Sequence, residues 1–179
     1  VAVPAKPAVD SLQHGGNQAL AQAQAMWNEG ARASAIDLLR QTLSRIELAG
    51  SGSSGAATPA LLLAVARELA RMEMAEGQVS AALKLLVRLE PQINQVADMW
   101  AMRGNAAQRL GQHPDAANSC RRALKLKPDE PRWLLGLGVS LAIQGQTAEA
   151  AELAERARVL GGLRPEIANY LRQLGVSIH

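Results

Sequence analysis

Phenylalanine is absent from the 179 residues, tyrosine occurs once and tryptophan three times, so aromatic residues make up only 2% of the chain. Strands draw on aromatic and β-branched side chains, and their scarcity beside abundant alanine and leucine excludes an all-β fold. The single cysteine, Cys120, cannot close an internal disulfide and excludes both a disulfide framework and a cysteine-ligated metal site. One thiol is tolerated in cytosol and periplasm alike, so the compartment stays open. No run approaches the ~20 apolar residues of a membrane span, and the start Val1-Ala2-Val3-Pro4-Ala5-Lys6-Pro7 lacks the basic-then-apolar layout of a signal peptide. With no initiator Met, the chain is expected to be a processed or truncated piece, any anchor lying outside it. A strong charge of one sign is also missing: 19 Lys and Arg against 16 Asp and Glu leave +3. Arg121, Arg122, Lys125 and Lys127 form one modest basic helix face without interleaved aromatics, which reads as a solubilising surface rather than a nucleic-acid interface.

What is present is a core and a period. Apolar types supply 48% of the chain, enough to bury a real interior. Gly77, Gly111 and Gly145 stand 34 residues apart, followed five places later by Ala82, Ala116 and Ala150. Gly104 and Gly138 keep the same 34-residue spacing, with Ala70 in the preceding copy. Small residues at a fixed period are expected where two helices approach closely, and a fixed period marks a repeat array. Within one copy, a helix is expected from about Val96 to Leu110, a turn at Gly111 to His113, and a second helix opened by Pro114 and Asp115, where proline's missing N–H has no intrahelical partner to lose.

The stretch from Ala97 to Glu130, with Trp100, Gly104, Leu110-Gly111, Ala116, Ala123 and Pro128 at their mutual spacings, resembles the tetratricopeptide repeat family. The resemblance implies an all-α fold, a right-handed α-solenoid of four helix-turn-helix tetratricopeptide repeats closed by a C-terminal capping helix. Its expected divisions are a linker over 1–15, repeat 1 over 16–49, a Gly/Ser-rich insertion over 50–58, repeat 2 over 59–96, repeat 3 over 97–130, repeat 4 over 131–164, and the cap and tail over 165–179. Pro91 is expected to end the second helix of repeat 2 early. The cap is expected to cover apolar residues such as Leu153 and Leu160.

Pro131-Arg132-Trp133-Leu134-Leu135-Gly136-Leu137-Gly138, with Gly145, Ala150 and Leu163-Arg164-Pro165-Glu166, is similar to the end of the repeat proteins of MSHA-type (type IV) pilus biogenesis. That resemblance implies a periplasmic domain behind one membrane span and a Pro- and Ala-rich linker, touching the membrane only through an anchor outside this chain. A cytoplasmic location is the alternative.

No catalytic constellation emerges from the sequence. His14, His113 and His179 are scattered without metal-ligand spacing. Cys120 falls inside a second helix facing the first and reads as a small buried hydrophobe. Gly136-Leu137-Gly138 lacks the third glycine and preceding strand of a nucleotide turn. Glu149, Glu152 and Glu155 with Arg156 and Arg158 read as a solvated helix face with intrahelical pairs. No enzyme activity, cofactor or metal is expected. The family resemblance implies a concave groove lined by the first helix of each repeat, and the period places Arg67, Arg71, Asn105, Arg109, Arg132, Leu135 and Val139 in it, cationic in the middle and apolar toward the C-terminal end. Some family members clamp a chaperone peptide's terminal carboxylate with Lys, Asn, Asn, Lys and Arg. Arg67, Asn105 and Arg132 occupy three of those places, but Arg71 and Gly136 depart from the other two, which argues against a true clamp. The expected function is a non-enzymatic protein–protein interaction scaffold whose partner is a protein or peptide segment, such as a subunit of a bacterial type IV pilus assembly or secretion apparatus. The alternatives are a peptide-binding chaperone adaptor and the repeat domain of a larger enzyme.

From its composition, the Gly/Ser run from Gly50 to Gly55 is expected to bury too little surface to order itself. Limited proteolysis should cut there first; earlier cleavage inside the later repeats would contradict this reading.

Overall fold

Six glycines, Gly30, Gly77, Gly111, Gly145, Gly161 and Gly175, have φ between 73° and 89°, a region that costs a residue with a Cβ roughly 1–2 kcal/mol. Each stands just past a helix end. At Gly111 the glycine N–H donates to Gln108 O at 3.0 Å, and the next N–H, of Gln112, donates to Ala107 O at 2.9 Å. The same crossed pair closes the helices before the other five. This closure satisfies carbonyls that would otherwise be orphaned and turns the chain back on itself. The expectation that every recurring small residue marks a close helix approach is therefore corrected for Gly77, Gly111 and Gly145: nothing lies within 4 Å of a Cβ placed on them, and their backbone conformation is what demands glycine. Close approach does govern Gly104, whose Cβ would meet Cys120 Sγ at 2.8 Å and Ala116 O at 3.2 Å.

The computed structural model describes residues 6–50 and 58–179, which are helical with no strand among them. They fall into two compact units, one ending at Leu85 and the other beginning at Leu86. In the first, α1 (Lys6–Asn28), α2 (Arg32–Gly50) and α3 (Pro59–Ala75) each pack on the other two, and α4 (Val79–Arg88) carries the division between the units. The stretch 1–15 was expected to be a linker, yet it is helical from Lys6 onward, with Pro7 in the first turn where it is tolerated. Gly16 is no boundary either, since its missing Cβ makes room for Leu61 Cδ2, 2.6 Å away. Thr58 accepts from Leu61 N at the start of α3, and its hydroxyl donates to Gln13 Oε1 at 2.7 Å, tying α1 to that helix. Residues 1–5, and 51–57 of the expected insertion, lie outside the described residues. Leu39, Leu43 and Ile46 of α2 and Val65 and Leu69 of α3 fill the interior.

That interior also holds a carboxylate. Glu73 of α3 is 3% exposed, and Arg40 of α2 donates to its Oε1 through Nε at 3.0 Å and Nη2 at 2.7 Å. Arg40 Nη2 donates as well to Gln78 Oε1 at 2.7 Å, while Glu73 Oε2 has no partner among the described residues. Burial outweighs Arg40 and holds the Glu73 carboxyl above the ordinary range.

In the second unit, a single extra turn, α5 (Glu90–Ile93), precedes α6 (Ala97–Arg109), α7 (His113–Leu126), α8 (Pro131–Ile143), α9 (Thr147–Val159) and α10 (Pro165–Gln173). Helix α7 packs on α6 and α8, α8 on α9, and α8 also touches α6 and α10, the stacking pattern of an α-solenoid. Helix α4 ends at Arg88, and Pro91 stands in the first turn of α5, so the described residues hold ten helices, one more than the eight and cap expected. Trp100 is buried; Arg103 and Arg122 lie 4.9 and 4.6 Å from its ring centroid, and both reach the Glu90 carboxylate, at 2.7 and 3.4 Å. Arg122 thus holds α7 to the turn before α6 rather than only facing water, and Arg121 pairs with Glu149 of α9 at 3.0 Å. Glu155 and Arg158 form the intrahelical pair expected of a solvated face. Leu171 and Val176 of the cap region join Leu153 in the core, whereas Leu160 is 43% exposed at the end of α9 and is not among the covered residues.

Three outcomes follow from these environments. Gly104→Ala should destabilise the protein by ~2 kcal/mol or more through the Cys120 contact, while Gly136→Ala, whose Cβ meets only Cys120 Sγ at 3.7 Å, should be neutral or stabilising by up to ~1 kcal/mol from helix propensity; equal losses in urea unfolding would refute the assignment. Cys120, 5% exposed with its thiol pushed up to about 11 by burial, should resist thiol alkylation until the chain unfolds, and rapid native labelling would place it at the surface. Glu73 gives a pH dependence. Its raised folded value means that its stabilising contribution is full below the unfolded value of ~4.3 and is lost as pH rises through the folded one. Wild type should therefore gain stability relative to Glu73→Gln as pH falls from about 7 toward 4.5, and a pH-independent difference would contradict the raised value.

Candidate functional site

A cavity of about 700 Å³ opens in the second unit between α6, α8 and α10. Arg132, Leu135, Gly136 and Val139 recur at three-, four- and seven-residue spacing, so they share one face of α8 and form its floor. Asn105 and Gln108 of α6 make one wall; Gly161, Gly162, Arg164 and Ile167, from the turn after α9 and the start of α10, make the other. The wall stands close to the floor because Gly162 has no Cβ, which would fall 2.1 Å from Pro131 Cβ. Gln108 Nε2 donates to Gly136 O at 3.0 Å and to Ser140 Oγ at 2.8 Å, fixing α6 against α8 beneath the cavity.

The chemistry of the cavity is mixed. Leu135 is buried and Val139 and Ile167 are half-buried, giving an aliphatic surface. Arg132 and Arg164 are exposed, and neither guanidinium group has a hydrogen-bond or ion-pair partner among the described residues. Two guanidinium groups beside an aliphatic floor suit a ligand that carries both an anionic and an apolar group.

Of the seven residues expected in a groove, this cavity brings together Asn105, Arg132, Leu135 and Val139. Arg109 ends α6 and does not line it. Arg67 and Arg71 belong to α3 of the first unit. Arg71 is already engaged, donating to Glu68 at 3.0 and 2.6 Å and stacking 5.5 Å from the Trp27 ring centroid. Arg32 lies 5.2 Å from the same ring and pairs with Glu76 at 2.8 Å. The sequence reading did not place Gly161, Gly162 and Arg164 at the site and assigned Ile167 only to the cap. The paired glycines after the last repeat helix were the available signal, since one sets the turn and the other admits α8.

Histidines do not converge: His14 lies on α1, His113 opens α7 and His179 ends the sequence. Among the described residues no group of three or more His, Cys, Asp or Glu side chains is placed to hold a metal ion. No helix among them is long and apolar enough to cross a membrane. Gln108→Ala should leave the buried Ser140 hydroxyl without its donor and lower stability by ~1 kcal/mol. No change in the urea midpoint would mean that the bridge does not join α6 to α8.

The crossed hydrogen bonds at the six positive-φ glycines and the alternating helix contacts of the second unit are those of a tetratricopeptide-type helical fold. Residues 101–165 match the family model described as tetratricopeptide repeat. Among solved structures, the chain is similar to MamA AMB-1, with 23% identity over 84% of this chain and 76% of that one at a TM-score of 0.66. It is similar also to a crystal structure of MamA protein, with 17% identity over 89% of this chain and 90% of that one at a TM-score of 0.67. The first TPR of Spaghetti (RPAP3), bound to the HSP90 peptide SRMEEVD, shares 20% identity over 62% of this chain and 88% of that one at a TM-score of 0.57. At these identities the likeness concerns the fold. No curated protein matches the sequence significantly.

Proposed function

We propose that this protein is a non-enzymatic scaffold that binds a segment of another protein on the concave side of its helical repeats. The observation that carries this reading is the cavity of the second unit, where the Arg132 and Arg164 guanidinium groups have no partner among the described residues and stand beside Leu135, Val139 and Ile167. A solvent-facing aliphatic floor with uncommitted cations contributes little to folding and suits recognition. The tetratricopeptide match over residues 101–165 supports the same reading. At the finer level, we place the chain in a bacterial type IV or MSHA-type pilus assembly or secretion apparatus, as the periplasmic domain of an inner-membrane-anchored protein. The similarity of Pro131–Gly138 and Leu163–Glu166 to that family supports this assignment. A second reading, a peptide-binding chaperone adaptor, is favoured by the likeness to a TPR seen with a bound HSP90 peptide.

Site-specific photocrosslinking from position 105 in the native host separates these readings. Crosslinks to pilus assembly subunits are expected. Crosslinks to the tails of cytosolic chaperones would replace the pilus assignment with the adaptor, and the absence of any protein crosslink would contradict the scaffold itself.

A further inference from the structure

The capping helix of a repeat array closes the last apolar surface, and α10 does so through Ala168 and Leu171. Yet Arg164, at its N-cap, and Ile167, in its first turn, point to the cavity over α8 instead. We propose that α10 and α8 together form a specificity pocket for an acidic segment of a partner protein, reading a Glu or Asp side chain two residues from an aliphatic one. This rests on the scaffold reading and deepens it.

The geometry sets the spacing. Arg132 stands in the first turn of α8 and Val139 seven residues on, ~10 Å apart along the axis, with Leu135 between them. In an extended segment, side chains two residues apart share a face and are separated by ~6.6 Å. A carboxylate at the Arg132 and Arg164 end therefore sets an aliphatic side chain over Leu135 and Val139. A chain-terminal carboxylate is attached directly to the last residue's Cα and falls short of this separation when that residue supplies the anchor. Among the described residues no carboxylate lines the pocket to compete and neither guanidinium group has an intramolecular partner, so the charge complementarity is directed outward. Asn105, also in the wall, supplies a carboxamide that can pair with the backbone of such a segment. Arg71 takes no part in acid recognition, because Glu68 already occupies its guanidinium.

The test uses the full chain. Short random peptides, displayed with their C-termini fused so that no terminal carboxylate is present, are selected on wild type and on the double variant Arg132→Glu, Arg164→Glu, and the enriched peptides are then synthesised as amides and titrated. Selection on wild type should enrich Glu or Asp two residues from Leu, Ile or Val. The double variant, with helicity unchanged, should bind those peptides at least roughly tenfold more weakly and should itself enrich Lys or Arg in the acidic place. Ile167→Ser should weaken binding while keeping the acidic preference, and Arg71→Ala should leave it unchanged. The proposal is overturned if the enriched peptides carry no acid, or bind the double variant equally well. It is overturned too if only free-acid peptides bind, or if the pocket engages nothing but a second copy of this chain. Peptides that bind without needing Arg132 and Arg164 would sink this inference and leave the scaffold reading standing, whereas no enrichment at all would sink both.

Discussion

The left-handed glycine past six of the ten helix ends among the described residues is the constraint from which the rest of this structure follows. It lets two consecutive N–H groups reach back to the last turn, as at Gly111 and Gln112, so the helix stops with its carbonyls satisfied and the chain reverses within three residues. A reversal at a fixed place forces the following helix to lie alongside the one before it. Repeating that step at Gly111 and Gly145 delivers the contacts of α6 with α7 and of α8 with α9. The small residues then decide how near the helices come, most tightly at Gly104, where Cys120 fills the space a Cβ would take.

Polar groups inside such an array fix one helix against another. Glu73 is held by Arg40 with one oxygen left unpaired, Trp100 sits between two arginines that share Glu90, and Gln108 spans α6 and α8. Each of these groups has its partners within its own unit. Against that background Arg132 and Arg164 stand apart, because they face a cavity and have no such partner among the described residues. Interactions already satisfied within the fold, such as that of Arg71 with Glu68, leave little to offer a ligand.

Much of the fold was legible from periodicity alone. The 34-residue spacing carried the helix pairs from repeat 2 onward, and Pro131 and Pro165 marked the helix starts that the structure shows. What the period could not express was the reason for its glycines, since a conformational requirement and a packing requirement leave the same letter in the sequence. It also missed the helix from Lys6, because alanine and proline near a chain start read equally well as linker, and the single turn at Glu90–Ile93, which lies outside the repeat pattern. For the site, the first-helix positions located Asn105, Arg132, Leu135 and Val139. Arg164 and Ile167 were illegible there because they come from the cap, which repeats nothing.

The account is tested most directly by placing L-alanine and D-alanine in turn at Gly111 by semisynthesis and measuring stability in urea. A D-residue favours the positive φ that Gly111 adopts, so it should stabilise the protein by ~0.5–1 kcal/mol by restricting the unfolded chain, while the L-residue should destabilise it by ~1–2 kcal/mol. Opposite signs would establish that backbone conformation sets the period. Equal destabilisation by both enantiomers would show that the glycine is kept for space, and the turn would lose its place as the organising constraint.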